Sequence, residues 1–289
     1  MLSVVTPAYC ESGNLPLLYD RLVAALDGLD WEWIVVDDHS ADGTFDTVSR
    51  LAERDPRVRG LRLSRNSGSH AALMCGLAQA GGDCAATISA DGQDPPEVIL
   101  EMLARWRAGA QVVFGARASR KHDSARKRFT ANLFYMVLRR VSGLTLPEGG
   151  VDMLFLDRKV IDALGQMRER NMNLVALVSW LGFRQERVEY HRQARMEGRS
   201  KWTLAKQVKL AIDTVVSFSY IPIRFMAALG LMTSLVGLVY AAFVVANALF
   251  RHPTPGWSEM MIVILVLGGL QMVMLSVLGE YLWRTLEEA

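Results

Sequence analysis

Cysteine is scarce in this chain: Cys10, Cys75 and Cys84 are the only three in 289 residues. Their number is odd and their spacing matches no metal site, which excludes a disulfide scaffold and a zinc module. They read as small buried hydrophobes of a reducing compartment. Net charge is equally thin at +2, so a polyanion partner such as nucleic acid has no support. His39 has no second histidine at ligand spacing and reads as a loop residue. The opening run LSVVTPAY is too short for a secretory leader and lacks its basic flank. A cytosolic catalytic part is therefore expected.

What the chain does have is a rhythm. Apolar runs of strand length fall at Leu2–Thr6, Trp33–Val36, Val58–Leu63, Ala85–Ser89 and Val112–Gly115. Helical spacing fills the gaps at Leu15–Leu29, Thr44–Glu53, His70–Ala80 and Pro96–Arg107. Asn14 and Asp42 are expected as N-caps, and Pro95-Pro96 as the opening of the fourth helix. Apolar strands alternating with helices predict an α/β domain with a mainly parallel sheet. Further on, the pattern predicts a basic amphipathic helix over Arg126–Arg140, a loop over Gly143–Gly150 and a strand over Asp152–Leu156. It then predicts helices over Val160–Met167 and Leu174–Leu181 and an edge strand over Arg187–Tyr190.

Long uncharged runs close the sequence. Phe225–Phe250 holds no charged residue and at 1.5 Å per residue makes roughly 39 Å of helix. Met260–Leu278 is a second such run of 19. Before them, Leu204, Val208, Leu210, Ile212, Val215 and Val216 alternate with Lys206, Lys209 and Asp213 as an interface-lying helix would. Lys201, Lys206, Lys209 and Arg224 precede the first run and Arg284 follows the second, whereas the loop between has only Arg251. That asymmetry predicts a transmembrane hairpin with both ends cytoplasmic. The expected organisation is a catalytic domain over 1–200, an amphipathic juxtamembrane helix over 201–222 and a two-helix hairpin over 223–289.

Three polar stretches stand at expected strand ends, where open α/β sheets bind ligands. TPAYCESGN offers Pro7 and Tyr9 to frame a flat base and Glu11 to accept from ribose or base donors. VVDDHS carries Asp37 and Asp38, adjacent carboxylates that repel unless hydrogen-bonded or paired with a cation. SADGQDPPE carries Asp91 and Gln93, oxygen donors that suit Mg²⁺ or Mn²⁺ bridging two phosphates. Asp94 and Glu97 are candidates either for that site or for the first turn of a helix.

These stretches, in this order, resemble family 2 glycosyltransferases of the GT-A fold. LSRNSGSHAAL, ADGQDPPE, GARASR, LFYMVLRRVSG, VDMLFLDRKV, VSWLGFRQ, GRSKWTLAKQVKLAIDTVVSFSYIP and GEYL narrow the resemblance to the polyprenyl-phosphate group. That group contains dolichol-phosphate mannose synthase and the bacterial GtrB-like enzymes. The resemblance implies that Pro7, Tyr9, Glu11, Asp37 and Asp38 hold the base and ribose of a UDP- or GDP-sugar. It implies that Asp91 and Gln93 hold Mg²⁺ or Mn²⁺ and the diphosphate. Arg117, Lys127, Arg128, Arg195, Ser200 and Lys201 would serve the phosphates of donor and polyprenyl-phosphate acceptor, and Asp152 would face the sugar. Asp91, Arg117, Asp152 and Lys201 are the expected catalytic set. A homo-oligomer at the bilayer surface is also implied.

The chain departs from the family pattern in three places. Ser89 stands where Asp-x-Asp usually begins, Gly92 replaces a bulky apolar residue, and ERNMNLVAL lacks the usual Arg-Gly. The chemistry implied is inverting transfer of one sugar, with the cation and Arg117 stabilising the departing diphosphate. The acceptor phosphate, with a second pKa of about 6, needs little help from a base. Rival readings are a membrane-tethered receiver domain, since VVDDHS mimics its paired aspartates, and an inactive glycosyltransferase-like scaffold. A processive polysaccharide synthase would need a QxxRW-like motif and more membrane helices, which the sequence does not contain.

Overall fold

Seven strands form one sheet in the computed structural model, which describes residues 1–117, 151–167, 174–193, 221–249 and 256–288. The strands are β1 (Leu2–Ala8), β2 (Trp31–Asp37), β3 (Val58–Arg62), β4 (Cys84–Thr87), β5 (Val112–Arg117), β6 (Val151–Asp157) and β7 (Gln185–Tyr190). Their spatial order is β3-β2-β1-β4-β6-β5-β7. The first four run parallel, β6 runs antiparallel to both β4 and β5, and β7 returns parallel to β5 at the edge. A parallel core with one reversed strand matches the mainly parallel expectation.

The helices of this part are α1 (Asn14–Ala25), α2 (Thr44–Arg54), α3 (Ser69–Ala78), α4 (Val98–Arg107), α5 (Arg158–Gly165) and α6 (Leu174–Trp180). All seven residues of β2 are buried, as a central strand covered on both faces requires. Leu15, Leu18 and Leu22 of α1 pack into the core with Trp33, Ile99, Met102 and Phe155. Each such side chain stabilises the fold by about 1.5–3 kcal/mol when fully buried. Trp33 is fully buried and its indole N–H donates to Thr6 Oγ1 at 2.9 Å, so burial leaves no donor unmet. Gly76 lets α3 lie against β1 and β2, where a Cβ would overlap Val5 Cγ1 and come within 3.0 Å of Val36 Cγ2.

The caps differ from the expectation. Gly13 and Gly43 occupy the N-cap positions of α1 and α2, without side-chain capping bonds. Asn14 is already helical and Asp42 lies one residue too early, where its carboxylate accepts from Thr44 N at 3.1 Å. The fourth helix starts at Val98, after both prolines. α1 ends at Ala25, short of Leu29, with Gly28 in the left-handed region at φ 74°. The expected helix over 126–140, the loop over 143–150 and most of the amphipathic segment over 201–222 lie outside the described residues.

The chain divides into two compact units, Met1–Thr214 and Val215–Ala289. The second contains α7 (Ile221–Leu249, 29 residues) and α8 (Trp257–Glu288, 32 residues). Gly230 faces Met274, whose Cε would lie 3.0 Å from an added Cβ, so the two helices approach closely there. Thr233 Oγ1 bonds back to the carbonyls of Leu229 and Gly230 at 3.0 and 2.9 Å, satisfying its hydroxyl within the helix. Leu231, Leu235, Leu238 and Met272 are exposed. Among the described residues no helix is long and apolar enough to cross a membrane. Read over every position of α7, including those whose side chains lie outside the description, the sequence is uncharged from Phe225 to its end.

Candidate active site

Strand order reverses between β1 and β4, and a crevice opens at such a switch point beyond the carboxyl ends of the strands. The loops after β1, β2 and β4 leave the sheet at that edge. The antiparallel β6 begins there, bringing Asp152 to the same edge, and Arg117 and Tyr190 end β5 and β7 side by side. Sequence-distant residues 9–11, 37–38, 89–94, 117, 152 and 190–193 are thus gathered along one border.

The first loop is held by the second. Cys10 takes a positive φ of 53° and its N–H donates to Ser40 Oγ at 2.8 Å. Glu11 N donates to Thr44 Oγ1 at 2.9 Å and Ser12 N to Asp42 Oδ2 at 3.3 Å. Ser40, Asp42 and Thr44 therefore act as a cradle for residues 10–12. Glu11 Oε2 accepts from Asn14 Nδ2 at 2.6 Å, which orients its carboxylate. Pro7 is half-buried and Tyr9 is 40% exposed.

Asp37 and Asp38, expected to hold base and ribose, are buried and bonded to the loops around them. Asp37 has no exposed surface: Oδ1 accepts from Ser40 N at 3.0 Å, and Arg62 Nε lies 3.3 Å from Oδ2. The Arg62 contact is electrostatic, since Asp37 Oδ2 has no hydrogen-bond partner. Asp38 is 4% exposed and accepts Ser67 N at 2.6 Å and Gly68 N at 2.8 Å. Its charge sits where α3 begins, the favoured place for an anion. In this arrangement Asp37 braces its own loop and Asp38 ties that loop to the one after β3. The receiver-like reading falls on the same geometry: the pair follows the second strand and is not accessible to a phosphodonor. His39, at φ 61° with Nδ1 3.3 Å from Leu63 O, is a loop residue as read from sequence.

The loop after β4 is the most densely connected. Ser89 Oγ lies 2.8 Å from Asp91 Oδ1 and 2.5 Å from Asp94 Oδ2. A hydroxyl has one proton to give, so it cannot donate to both. Asp94 is fully buried, and burial raises its carboxyl above the usual carboxylate range, with Arg192 opposing and Asp152 adding to the rise. The single hydroxyl of Ser89 therefore serves one carboxylate at a time, and it links Asp91 to Asp94 across the loop. Tyr190 OH donates to the other Asp94 oxygen at 2.7 Å, and its phenol pKa is pushed up by burial and by Asp94. Gly92 adopts φ 68°, a left-handed turn that a bulky residue would resist, and this accounts for glycine there. Arg21 from α1 donates to the Gly92 carbonyl at 3.0 Å and lies 3.8 Å from Glu97.

Residues just past β7 clasp this loop. Gln193 N donates to Gln93 O at 2.9 Å, and Gln93 Nε2 donates to Gln193 O at 3.2 Å. Arg192 Nη2 stands 3.5 Å from Asp91 Oδ2 and its Nε 3.3 Å from Asp94 Oδ1. Sequence reading missed Arg21, Tyr190 and Arg192. The signal for the last two was their spacing of two at the end of a strand, which puts alternate residues on one face. Arg117 lies at the end of β5, but Lys127, Arg128, Arg195, Ser200 and Lys201 lie outside the described residues.

Among the described residues no group of three or more His, Cys, Asp or Glu forms a metal cage. The donor set nevertheless fits Mg²⁺ or Mn²⁺. A positive guanidinium already sits where the Asp91 and Asp94 carboxylates converge, and these ions fill their remaining positions with water and phosphate oxygens. Gln93 would have to give up its clasp on Gln193 to join.

Comparison with known proteins agrees with this fold. An uncharacterised glycosyltransferase of Synechocystis sp. is 38% identical over 290 residues, covering 99% of this chain and 91% of the relative. A prophage bactoprenol glucosyl transferase homolog of Escherichia coli is 34% identical over 287 residues, covering 98% and 94%. Among solved structures, glucosyl-3-phosphoglycerate synthase from Mycobacterium tuberculosis, in complex with Mn²⁺, UDP and its product, superposes with TM-score 0.55 at 17% identity over 75% of this chain and 77% of that one. A mannosyltransferase of Pyrobaculum calidifontis, bound to GDP-Man and Mn²⁺, gives TM-score 0.50 at 18% identity, covering 98% and 87%. The last two establish a GT-A-like mixed α/β fold. The family model described as "Glycosyl transferase family 2" matches residues 3–165, and with relatives of this identity along nearly its whole length the chain belongs to that family and is a glycosyltransferase.

Proposed function

We propose that the enzyme moves a single sugar from a UDP- or GDP-sugar to a polyprenyl phosphate at the cytosolic face of a membrane, with inversion and with a divalent cation. The observation that carries the reading is the Ser89–Asp94 loop at the switch point, its Asp91 carboxylate paired with a cationic side chain. The lipid acceptor draws support from the nearly full-length relatives named bactoprenol glucosyl transferase. It also draws on two C-terminal helices, α7 and α8, of 29 and 32 residues, which in this reading form a transmembrane hairpin.

In this mechanism Tyr9 and Pro7 frame the base and Glu11, oriented by Asn14, accepts from base or ribose. Asp91 and, after release from Gln193, Gln93 would hold Mg²⁺ or Mn²⁺, which when bound supplies Lewis-acid stabilisation of the leaving diphosphate. Asp152, at the start of β6, faces the sugar and stabilises positive charge at the reacting carbon. Arg117 and the basic residues Lys127, Arg128, Arg195 and Lys201, with Ser200, take the phosphates. The acceptor phosphate is already largely ionised near neutrality, so the protein's task is orientation and charge, and confinement of the acceptor at the bilayer surface lowers the encounter cost.

The test is direct. Full-length protein in detergent, given Mg²⁺, radiolabelled nucleotide sugars and undecaprenyl phosphate, should form a glycolipid, and Asp91→Ala should lose at least about 100-fold in rate, as removal of one electrostatic stabiliser does. Absence of product with every common UDP- and GDP-sugar would refute the proposed reaction. An Asp91→Ala rate within about twofold of wild type would refute the assignment of that carboxylate.

A further inference from the structure

Arg192 is a charged group at the site with a buried N–H that makes no hydrogen bond. Its side chain is 23% exposed and lies 3.3–3.5 Å from two acids, yet its Nε, although buried, has no hydrogen-bond partner. A guanidinium carries five N–H groups in a planar fork suited to bidentate pairing with carboxylate or phosphate. Arg57 exemplifies a committed pair in this same chain: Nε lies 3.0 Å from both Asp55 oxygens and Nη2 2.7 Å from Oδ2. Arg192 instead sits across Asp91 and Asp94 as a point charge would. The backbone around it is pinned by Tyr190 OH on Asp94 and by the two bonds between Gln93 and Gln193. The side chain, and not the strand, is the loosely held part.

We propose that Arg192 is a placeholder cation that exchanges Asp91 for the donor's phosphates. It shields the carboxylates of Asp91 and Asp94 while no divalent ion is held, and once Asp91 is engaged by the ion it turns its guanidinium, whose Nε makes no hydrogen bond, to the diphosphate of the nucleotide sugar. The inference rests on the reading above for the presence of a diphosphate, but it assigns Arg192 two effects of opposite sign. Without nucleotide, Arg192 competes with the ion and weakens its binding. With nucleotide, Arg192 adds charge-assisted hydrogen bonds and strengthens diphosphate binding. A residue that only braced the fold would support both.

The experiment uses the full chain in detergent, with free Mn²⁺ followed by electron paramagnetic resonance and UDP or GDP binding followed by calorimetry at saturating Mn²⁺. Arg192→Gln should tighten Mn²⁺ alone by about fivefold, the scale of one partly exposed ion pair removed, and weaken the nucleoside diphosphate by about tenfold. Arg192→Lys should keep Mn²⁺ affinity near wild type and recover only part of the nucleotide affinity, because it retains charge without the fork. Unchanged or weaker Mn²⁺ binding by Arg192→Gln, in a protein whose wild type binds both ligands, overturns the exchange. Failure of the wild type to bind either nucleotide overturns the donor reading and the exchange with it. Should Arg192→Gln not fold, the wild type answers alone: in ¹⁵N-arginine-labelled protein the Arg192 Nε–H resonance, identified by its loss in Arg192→Lys, should move on addition of Mg²⁺. A resonance that stays in place overturns the proposal.

Discussion

Replacing Asp38 separates a structural carboxylate from a ligand-facing one. Its two oxygens accept Ser67 N and Gly68 N at 2.6 and 2.8 Å, and only 4% of the residue is exposed. Hydrogen bonds to a charged group contribute about 1.5–3 kcal/mol each, and an anion at a helix N-terminus about 0.3–1 kcal/mol more. Ser67 is exposed, so water would replace part of what alanine removes, which places the loss for Asp38→Ala at roughly 2–4 kcal/mol. A domain of this size shifts by about 2–4 °C per kcal/mol, so melting in a fixed detergent should fall by about 5–15 °C. Asp38→Asn, which keeps one acceptor, should fall by about half as much. Nucleotide affinity measured well below both melting temperatures should change little. If Asp38→Ala instead melts within about 2 °C of wild type but loses nucleotide binding tenfold or more, the carboxylate faces a ligand and the loop-fixing argument is wrong.

Two further perturbations test the scaffold. Gly76→Ala places a methyl against Val5 and Val36 and should cost about 1–3 kcal/mol as overpacking; unchanged melting would mean that α3 does not lie that close to β1 and β2. Asp55 is held at a pKa of about 2, chiefly by hydrogen bonds from Arg57. Because this value is depressed, its stabilisation is complete above the unfolded value near 3.9 and is lost as pH falls through about 2. Arg57 is 42% exposed, so the pair contributes only about 1 kcal/mol. Asp55→Asn should therefore melt below wild type at neutral pH and converge with it in acid, and a constant gap across that range would rule out the ion pair as the cause.

The sheet was legible because its strands are apolar runs between amphipathic ones, and a buried parallel strand needs little else. The edge strand expected over Arg187–Tyr190 lies within β7, last in the strand order. Residue roles were harder to read, since the identity of a carboxylate does not say where its lone pairs go. Asp37-Asp38 looks like a ligand pair in sequence, but Asp37 is engaged by Ser40 of its own loop and Asp38 by the amides of Ser67 and Gly68 from the loop after β3. Arg192 lies about 100 residues from Asp91, and only the sheet order, with β7 following β5 and β6, carries it back to the β4 loop. Capping failed for a local reason: Gly13 and Gly43 stand one residue away from the polar residues expected to cap, while Asn14 bonds to Glu11 and Asp42 accepts from Ser12 of the first loop.

Ser89 occupies a position where the resemblance implies aspartate, and the geometry supplies a reason that this is compatible with catalysis. Asp91 and Asp94 already face Ser89 Oγ within hydrogen-bonding distance, and the charge of Asp152 acts on Asp94. An aspartate at 89 would add a further acid to a buried cluster whose nearest described cation is Arg192, and like charges that close raise one another's pKa instead of all ionising. The serine hydroxyl instead hydrogen-bonds to Asp91 and Asp94 without adding a charge to the cluster. An ion met by so few protein oxygens must take most of its ligands from water and from the donor's phosphates. In the proposed reaction cation and nucleotide sugar would therefore bind as a pair, each weak without the other, and the apparent affinity for Mn²⁺ should rise steeply when a nucleoside diphosphate is present.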